Sequence, residues 1–435
     1  MAAEVSPQNL VPFRWPAGWT ATQSVSLLQN CPINCLVVGG APRQIAEAAG
    51  KAGLAVLEGA SLASAPLAER NWNAAAPIIS VSGLAWPRMK PLAYGGRDEV
   101  MAGPTGAPWI DSNSWVAMLA MARAPGKPVW LVVDPPKEEQ PSAADAYRVA
   151  VADAWAAGAR WVVSLDDKLS QGLAQGNAEA AKTWSGILET LTFFEKHREW
   201  RSYMHQGPLG ILSTFAGDNE FAATELLNLA ARRNLLYRVI DRSRAPSMNL
   251  AGLRGVLWVD KDPPAGEVAA KLSAFAQGGG LLIVPRSAAA LFRSPRALEC
   301  PVAGYELRAV GKGRVAVATR DWDDPYFLAA DAHDLIGRRN DPIRLFSGGA
   351  CWLHYSVSPS GTDSLFQLVN FSWSRPLGGM MGTGDISFRI PGRHRSVTLH
   401  TLQGDAQTLQ PTKEGRNIEY RLPQFGAYAA VEVKV

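Results

Sequence analysis

No run of roughly eighteen apolar residues occurs anywhere in the 435-residue chain, so the sequence offers no helical membrane span. The opening residues, Met1 to Ser6, lack the charged and apolar stretches of a signal peptide. The chain therefore reads as soluble: cytoplasmic, or periplasmic or secreted if such a peptide has been removed. Cysteine is scarce: Cys31, Cys35, Cys300 and Cys351 form neither a C-x-x-C pair nor a zinc set. The six histidines, at 197, 205, 333, 354, 394 and 400, do not cluster at metal-ligand spacing. There is no G-x-x-x-x-G-K-[ST] phosphate loop, no H-E-x-x-H and no G-x-S-x-G elbow, and Gly39-Gly40 is too short for a dinucleotide fingerprint. Nothing calls for a metal or a cofactor. A basic stripe is missing as well. The net charge is +4, but Lys and Arg are scattered, with Arg232-Arg233 and Arg338-Arg339 the densest pairs. That argues against a nucleic-acid partner.

Apolar residues are plentiful: 47% hydrophobic against 19% charged is the balance of a chain with real cores. A length of 435 residues suggests two to four domains. Tryptophan is the outlier, at 15 residues. Each indole offers a flat apolar face with a donor at its edge. Such faces stack on the C–H faces of sugar rings, and they also serve as packing inside domains and between them.

To about residue 205, apolar strand-like runs alternate with helical patterns. The strand candidates are residues 13–18, 33–40 (INCLVVGG), 54–59 (LAVLEG), 77–83 (PIISVSG), 108–113 (PWIDSN), 129–134 (VWLVVD) and 161–166 (WVVSLD). Continuous apolar strands separated by helices imply a parallel sheet covered on both faces. Seven candidates fit a compact (β/α) TIM-like barrel, smaller than the usual one of about 250 residues. Ser114 is placed to cap a helix over 115–123. The pattern restarts at Gly207. Strands at 208–214 (PLGILST), 237–240, 255–259 (GVLWV), 281–284 and 311–317 alternate with helices at 219–234 and 265–277, which predicts a doubly wound α/β domain. Residues 321–344 read as a helical linker. From about residue 345 the helices stop. Alternating runs at 364–371, 385–390, 396–402, 417–422 and 427–433, split by turn residues, predict a C-terminal β-sandwich. The expected division is 1–205, 206–344 and 345–435.

This order resembles the multidomain β-galactosidase type of glycoside hydrolase. The phrases that carry the resemblance are residues 193–198 (FFEKHR) ahead of 207–212 (GPLGIL), the helix and triple glycine of 271–284, and residues 368–371 (LVNF) with Leu422-Pro423 and 427–429 near the end. The resemblance implies a flavodoxin-like, class I amidotransferase-like middle domain, a carbohydrate partner and possible homo-oligomers. The chain departs from the pattern in two ways. The Asn-Glu pair that many such barrels carry on the fourth strand does not occur in the first 205 residues. The single Asn219-Glu220 lies in the middle region, where it suits a helix cap and a first-turn acid. The middle region also has no cysteine before Cys300 to stand as an amidotransferase-type nucleophile, since no Cys lies between Cys35 and Cys300.

Glycoside hydrolysis needs two carboxyl groups flanking the scissile bond, and in barrels these sit at the C-terminal ends of strands. The strand-end acids are Glu58, Asp111, Asp134, Asp166 and Asp167. Glu47, Asp145, Asp153 and Glu189 fall within helical patterns and are expected on solvated faces. Asp111 stands out because Trp109, Asn113 and Trp115 flank it with stacking faces and an amide. The alternative is that Asp111 or Ser112 only caps the next helix. Asp166 ends the last strand, with Asp167 as a capping neighbour. Asp134 precedes Pro135-Pro136 and could instead fix a turn. The loop 86–104 is long enough to cover the mouth. Within it, Trp86 and Arg97 could meet substrate, although Arg97 could equally pair with Asp98 or Glu99. Trp15 adds stacking surface near the first strand. The expectation is a glycoside hydrolase acting on an oligo- or polysaccharide through Asp111 and Asp166, with Glu58 and Asp134 in reserve. The alternative is a non-catalytic carbohydrate-binding or assembly protein on the same frame.

Overall fold

The computed structural model describes residues 6–58, 76–89, 109–137, 143–294, 296–322, 324–346, 350–374, 379–383, 385–413, 415 and 417–435. Its first part is built on short parallel strands: β1 (Pro12–Arg14), β2 (Cys35–Val38), β3 (Ala55–Glu58), β4 (Ile79–Val81), then β7 (Val129–Leu131) and β8 (Arg160–Trp161). Between β4 and β7, β5 (Arg88–Met89) and β6 (Ile110–Asp111) form an antiparallel pair of their own. The parallel strands pair in the orders β1-β2-β3 and β4-β7-β8, and a parallel bridge from Phe13 to Val163 joins the two sets. The resulting order, β3-β2-β1-β8-β7-β4, is the cyclic order of a (β/α) barrel opened between β3 and β4. The region is therefore TIM-like. The expectation that 108–113 supplies a barrel strand is corrected: β6 pairs with β5 alone, outside the parallel set.

The helices follow from local sequence. α1 (Arg43–Lys51) starts just after Pro42, and the turn before it uses Gly40 at φ 71°. α2 (Ser114–Arg123) begins one residue earlier than the sequence suggests. Asn113 is its N-cap residue but makes no side-chain capping bond; Ser112 Oγ accepts from the first helical N–H, that of Ser114, at 3.2 Å. α3 (Ala144–Ala156) is alanine-rich and buried on almost every side, because it packs against both α5 (Ala178–Lys196) and the C-terminal sheet. α4 (Asp167–Ala174) is capped by Asp166, and α5 by Asn177, whose Oδ1 accepts from Glu179 and Ala180 N–H.

The middle part is one seven-stranded sheet, built from β10 (Leu209–Ser213), β11 (Tyr237–Asp241), β12 (Gly255–Trp258), β13 (Leu281–Val284), β14 (Ala297–Leu298), β15 (Tyr305–Val310) and β16 (Gly313–Ala318), ordered β11-β10-β12-β13-β16-β15-β14. The first five in that order are parallel; β15 and β14 are antiparallel additions. α6 (Glu220–Arg232) and α8 (Pro325–Ile336) pack together, while α7 (Gly266–Gln277) shares a separate core with the opposite residues of the sheet. The turn into β16 needs a bare backbone, since a Cβ on Gly313 would run into the carbonyls of Ala276 and Gly280. α8 is also a correction: residues 325–336 pack on α6 as part of this body instead of serving as a linker.

The last part has two antiparallel sheets. One holds β17 (Arg344–Phe346), β22 (Ile386–Pro391), β25 (Pro411–Lys413) and β26 (Asn417–Leu422). The other holds β18 (Cys351–Val357), β19 (Asp363–Asn370), β23 (Ser396–Thr401), β24 (Gln407–Thr408) and β27 (Tyr428–Lys434), with a two-stranded ribbon of β20 (Trp373–Ser374) and β21 (Gly379–Met380) set apart. Alternate residues of both sheets, such as Phe366, Leu368 and Val431 from one and Phe388, Ile390 and Tyr420 from the other, meet in a single core. The larger sheet also takes in β9 (Met204–His205), which pairs with Ser356 and Val357. A second core runs continuously through all three parts.

Candidate functional site

The C-terminal ends of the parallel strands in the first part converge on one rim. Arg14, at the end of β1, forms an ion pair with Asp134, three residues beyond β7; the acid side chain is 86% exposed and the arginine 32%. The pair therefore spans the rim in solvent. Asp166, past β8, is buried and doubly engaged. Its Oδ1 accepts from Leu169 N–H at 2.8 Å, closing the first turn of α4, and its Oδ2 accepts from the Tyr147 hydroxyl at 3.0 Å. Burial, with the Asp166 charge beside it, holds the Tyr147 hydroxyl far above its ordinary range. Glu58 is exposed at the end of β3, at one edge of the parallel set.

Aromatic rings pack against one another beside these strand ends. Trp15 and Trp19 meet edge-on at 5.2 Å, and each indole N–H is spent internally, on Trp19 and Ser170 carbonyls respectively. Trp86 stands edge-on to Tyr147 at 5.1 Å and to Trp161 at 5.3 Å. All five rings are buried. Trp15 and Trp86, expected to present faces to a sugar, pack the domain instead. The indole N–H groups of Trp86 and Trp161 have no hydrogen-bond partner among the described residues.

Asp111 lies away from the rim strands, on the β5–β6 ribbon opposite Arg88, and is half-buried. The residues after it turn inward. Ser112 Oγ donates to Asp153 Oδ1 at 2.5 Å, Asn113 N–H donates to Asp153 Oδ2 at 2.7 Å, and the Asn113 side-chain amide donates to Ala85 O at 2.8 Å. Asn113 is thus a buried brace between ribbon and helix. Trp109 and Trp115 stay partly exposed on either side of Asp111, with the Arg232 guanidinium 4.7 Å from the centre of the Trp109 ring. Arg97, with the rest of 90–108, lies outside the described residues.

Asp153 corrects the expectation of a solvated helix face. It is completely buried, and desolvation raises its carboxyl from 3.8 to about 7 against the lowering effect of the Ser112 and Asn113 bonds. A signal was present in the sequence: Asp153 is the lone acid in the apolar run 149–157, and a solvated face would have repeated polar residues at helical spacing. Two histidines far apart in sequence also meet. His205 on β9 and His354 on β18 sit 6.3 Å apart at the junction of the first part with the C-terminal sheet. Burial lowers both from 6.5, His354 to about 3 with His205 as a further cause.

The strand ends of the middle sheet carry a second cluster. The chain leaves β10 for β11 on one side and later returns to β12 on the other, which makes the crevice between β10 and β12 the place where doubly wound sheets take ligands. Here the buried carboxylate of Asp260 fills it, accepting from Ser213 Oγ at 2.6 Å, Thr214 N–H at 3.0 Å and Arg242 at 2.9 Å. Asn219 is no side-chain cap; its Oδ1 accepts from Lys261 N–H at 3.0 Å, tying two of these loops together. Among the described residues, no group of three or more His, Cys, Asp or Glu side chains could hold a metal ion, and no helix is long and apolar enough to cross a membrane.

No protein-family model matches the chain, and comparison with curated proteins finds no match. Solved structures do resemble it. One is α-L-fucosidase isoenzyme 2 from Paenibacillus thiaminolyticus, with a TM-score of 0.56 and 13% identity over 90% of this chain and 70% of that one. Another is a β-galactosidase from Bacillus circulans sp. alkalophilus, with a TM-score of 0.56 and 9% identity over 100% of each chain. At such identities the likeness is one of fold: the chain has the frame of a multidomain, β-galactosidase-like glycosidase.

Proposed function

We propose that the chain binds carbohydrate on this glycosidase frame without hydrolysing it. Its three parts would be a TIM-like domain over 1–205, an amidotransferase-like domain over 206–344 and a β-sandwich over 345–435. The observation that carries the reading is the state of Asp166 and Asp134 among the described rim carboxylates. Asp166 is committed to the first turn of α4 and to Tyr147, and Asp134 to Arg14. Hydrolysis needs two carboxyl groups available to one bond, one of them a proton donor. The indoles of Trp15, Trp19, Trp86 and Trp161 near these strand ends are buried in the core. The partly exposed Trp109 and Trp115 beside Asp111 are the surface we assign to sugar contact, through stacking and through sugar hydroxyls donating to the carboxylate.

Hydrolysis is the second reading, and Asp111 favours it. This acid is half-buried, with Trp109 two residues before it and Trp115 four residues after it in the chain. One experiment separates the two. Binding to a panel of immobilised oligosaccharides and turnover of aryl glycosides are measured for the native protein and for Trp109→Ala, Trp115→Ala, Asp111→Asn and Asp166→Asn. Binding that weakens about tenfold or more in the tryptophan variants, ~1.4 kcal/mol, without native turnover supports the proposal. Turnover abolished by Asp111→Asn replaces it with hydrolysis. Neither binding nor turnover on any sugar removes both.

A further inference from the structure

We propose that Arg160 and Arg201 form a binding site for a small oxyanion, a carboxylate or phosphate group, at the end of the first part opposite the rim. The inference is independent of the carbohydrate reading. Arg160 opens β8, so it lies at the N-terminal ends of the parallel strands, whereas the rim acids follow their C-terminal ends. Trp155 is near the end of α3, Glu195 is in the last turn of α5, and Arg201 follows in the short 3₁₀ turn Arg198–Ser202. The guanidinium carbon of Arg160 is 5.4 Å from the centre of the Trp155 ring, and that of Arg201 is 5.5 Å away. Phe194 stacks on the same indole at 4.8 Å. Two cations thus share one aromatic ring.

They also share one acid. Glu195 is ion-paired with Arg160 Nη1, and the charges acting on Arg201 are those of Arg160 and Glu195. Two guanidiniums against one carboxylate leave one positive charge uncancelled. The Arg160 side chain is only 7% exposed. Its Nε and the Nη1 of Arg201 are buried with no hydrogen-bond partner among the described residues. Burial, with Arg160 beside it, pulls Arg201 down to about 9 against the opposing effect of Glu195. Burying an unmatched cation is costly, and contact with an aromatic ring offsets only part of that cost. An oxyanion cancels the remaining charge, and its paired oxygens match the parallel donors of a guanidinium fork. The cluster is open to such a group from one side: Arg201 is partly exposed, and the Glu195 side chain is 23% exposed.

Phosphorus NMR of inorganic phosphate and fluorine NMR of trifluoroacetate, each titrated with the protein in chloride buffer at constant ionic strength, test this and separate the two chemistries. At least one probe should show a saturable shift or broadening, and the probe that responds more strongly identifies the group. Arg201→Met should weaken that binding about tenfold or more. Arg201→Lys, which keeps the charge and loses the fork, should weaken it less. Arg286→Met, at an exposed arginine on the middle sheet, should leave it unchanged. Circular dichroism checks that each variant folds, and if Arg201→Met does not, Arg201→Lys carries the comparison. Absence of a saturable response from both probes overturns the proposal. So does a response that the Arg201 variants leave untouched, or one that Arg286→Met reduces equally.

Discussion

Tyr147 and Asp166 hold each other twice: the phenol donates to Asp166 Oδ2 at 3.0 Å, and its oxygen accepts from Asp166 N–H at the same distance. A carboxylate that caps a helix and receives a buried hydroxyl contributes to stability whether or not it meets a ligand. Tyr147→Phe should therefore cost about 1–3 kcal/mol in urea unfolding, because it leaves a buried N–H unpaired. Asp166→Ala should cost about 1 kcal/mol through the lost cap, and Asp166→Asn less, since Asn caps well. Sugar binding should be unchanged in all three. A variant that unfolds like the native protein but loses binding would place Asp166 on the ligand instead.

Asp153 predicts a pH dependence. Its folded carboxyl titrates near 7, against 3.8 when exposed, so between these values the folded chain holds a proton that the unfolded chain releases. The stability it contributes is fully present below 3.8 and is lost as pH rises through about 7. Asp153→Asn should flatten this decline. Unfolding free energies measured at intervals from pH 4 to 8 check it: equal slopes for native and variant would mean that the carboxyl is not desolvated as described.

His354 predicts the opposite slope. It is held neutral in the fold, with its value lowered from 6.5 to about 3 by burial and by His205. Below 6.5 the unfolded chain takes up a proton that the folded chain refuses, so stability is lost as pH falls from 6.5 towards 3. His354→Gln should reduce the acid sensitivity, read as a shallower fall of melting temperature between pH 6.5 and 4. An acid limb as steep as the native one would show that other groups govern it.

Arg123 joins the first part to the middle sheet. Its Nε donates to the buried Asp241 at 2.5 Å, and its Nη2 to Thr214 O at 2.9 Å. Arg123→Met strands a buried carboxylate and should cost about 3–5 kcal/mol. Arg14→Met, whose partner Asp134 is mostly solvated, should cost under about 1 kcal/mol. Parallel denaturant titrations compare the two, and similar costs would contradict the difference in burial.

Sequence pattern revealed most of the architecture because burial writes itself into strands. Runs such as CLVV at 35–38 and LLIV at 281–284 are buried at every position, as parallel strands covered on both faces should be. The β5–β6 ribbon escaped, because two-residue strands carry no period to read. The site was harder still. Glu58, Asp111, Asp134 and Asp166 are alike as acids near strand ends, and only tertiary partners distinguish a helix cap, an ion pair and a half-buried acid. Tryptophan abundance was legible, but whether a given indole faces solvent depends on what folds over it, as Trp86 and Trp109 show. Asp153 is the inverse case: its burial follows from α3 being enclosed on nearly every side, which no single helix pattern states.

The pairing of His205 with Ser356 means that one strand of the C-terminal sheet is lent by the first half of the chain. A gene fragment encoding residues 345–435 would lack a strand of its own sheet, and one ending before residue 204 would leave its counterpart edge bare. The edge of the C-terminal sheet at β18 is therefore covered only when the segment at 204–205 lies beside it.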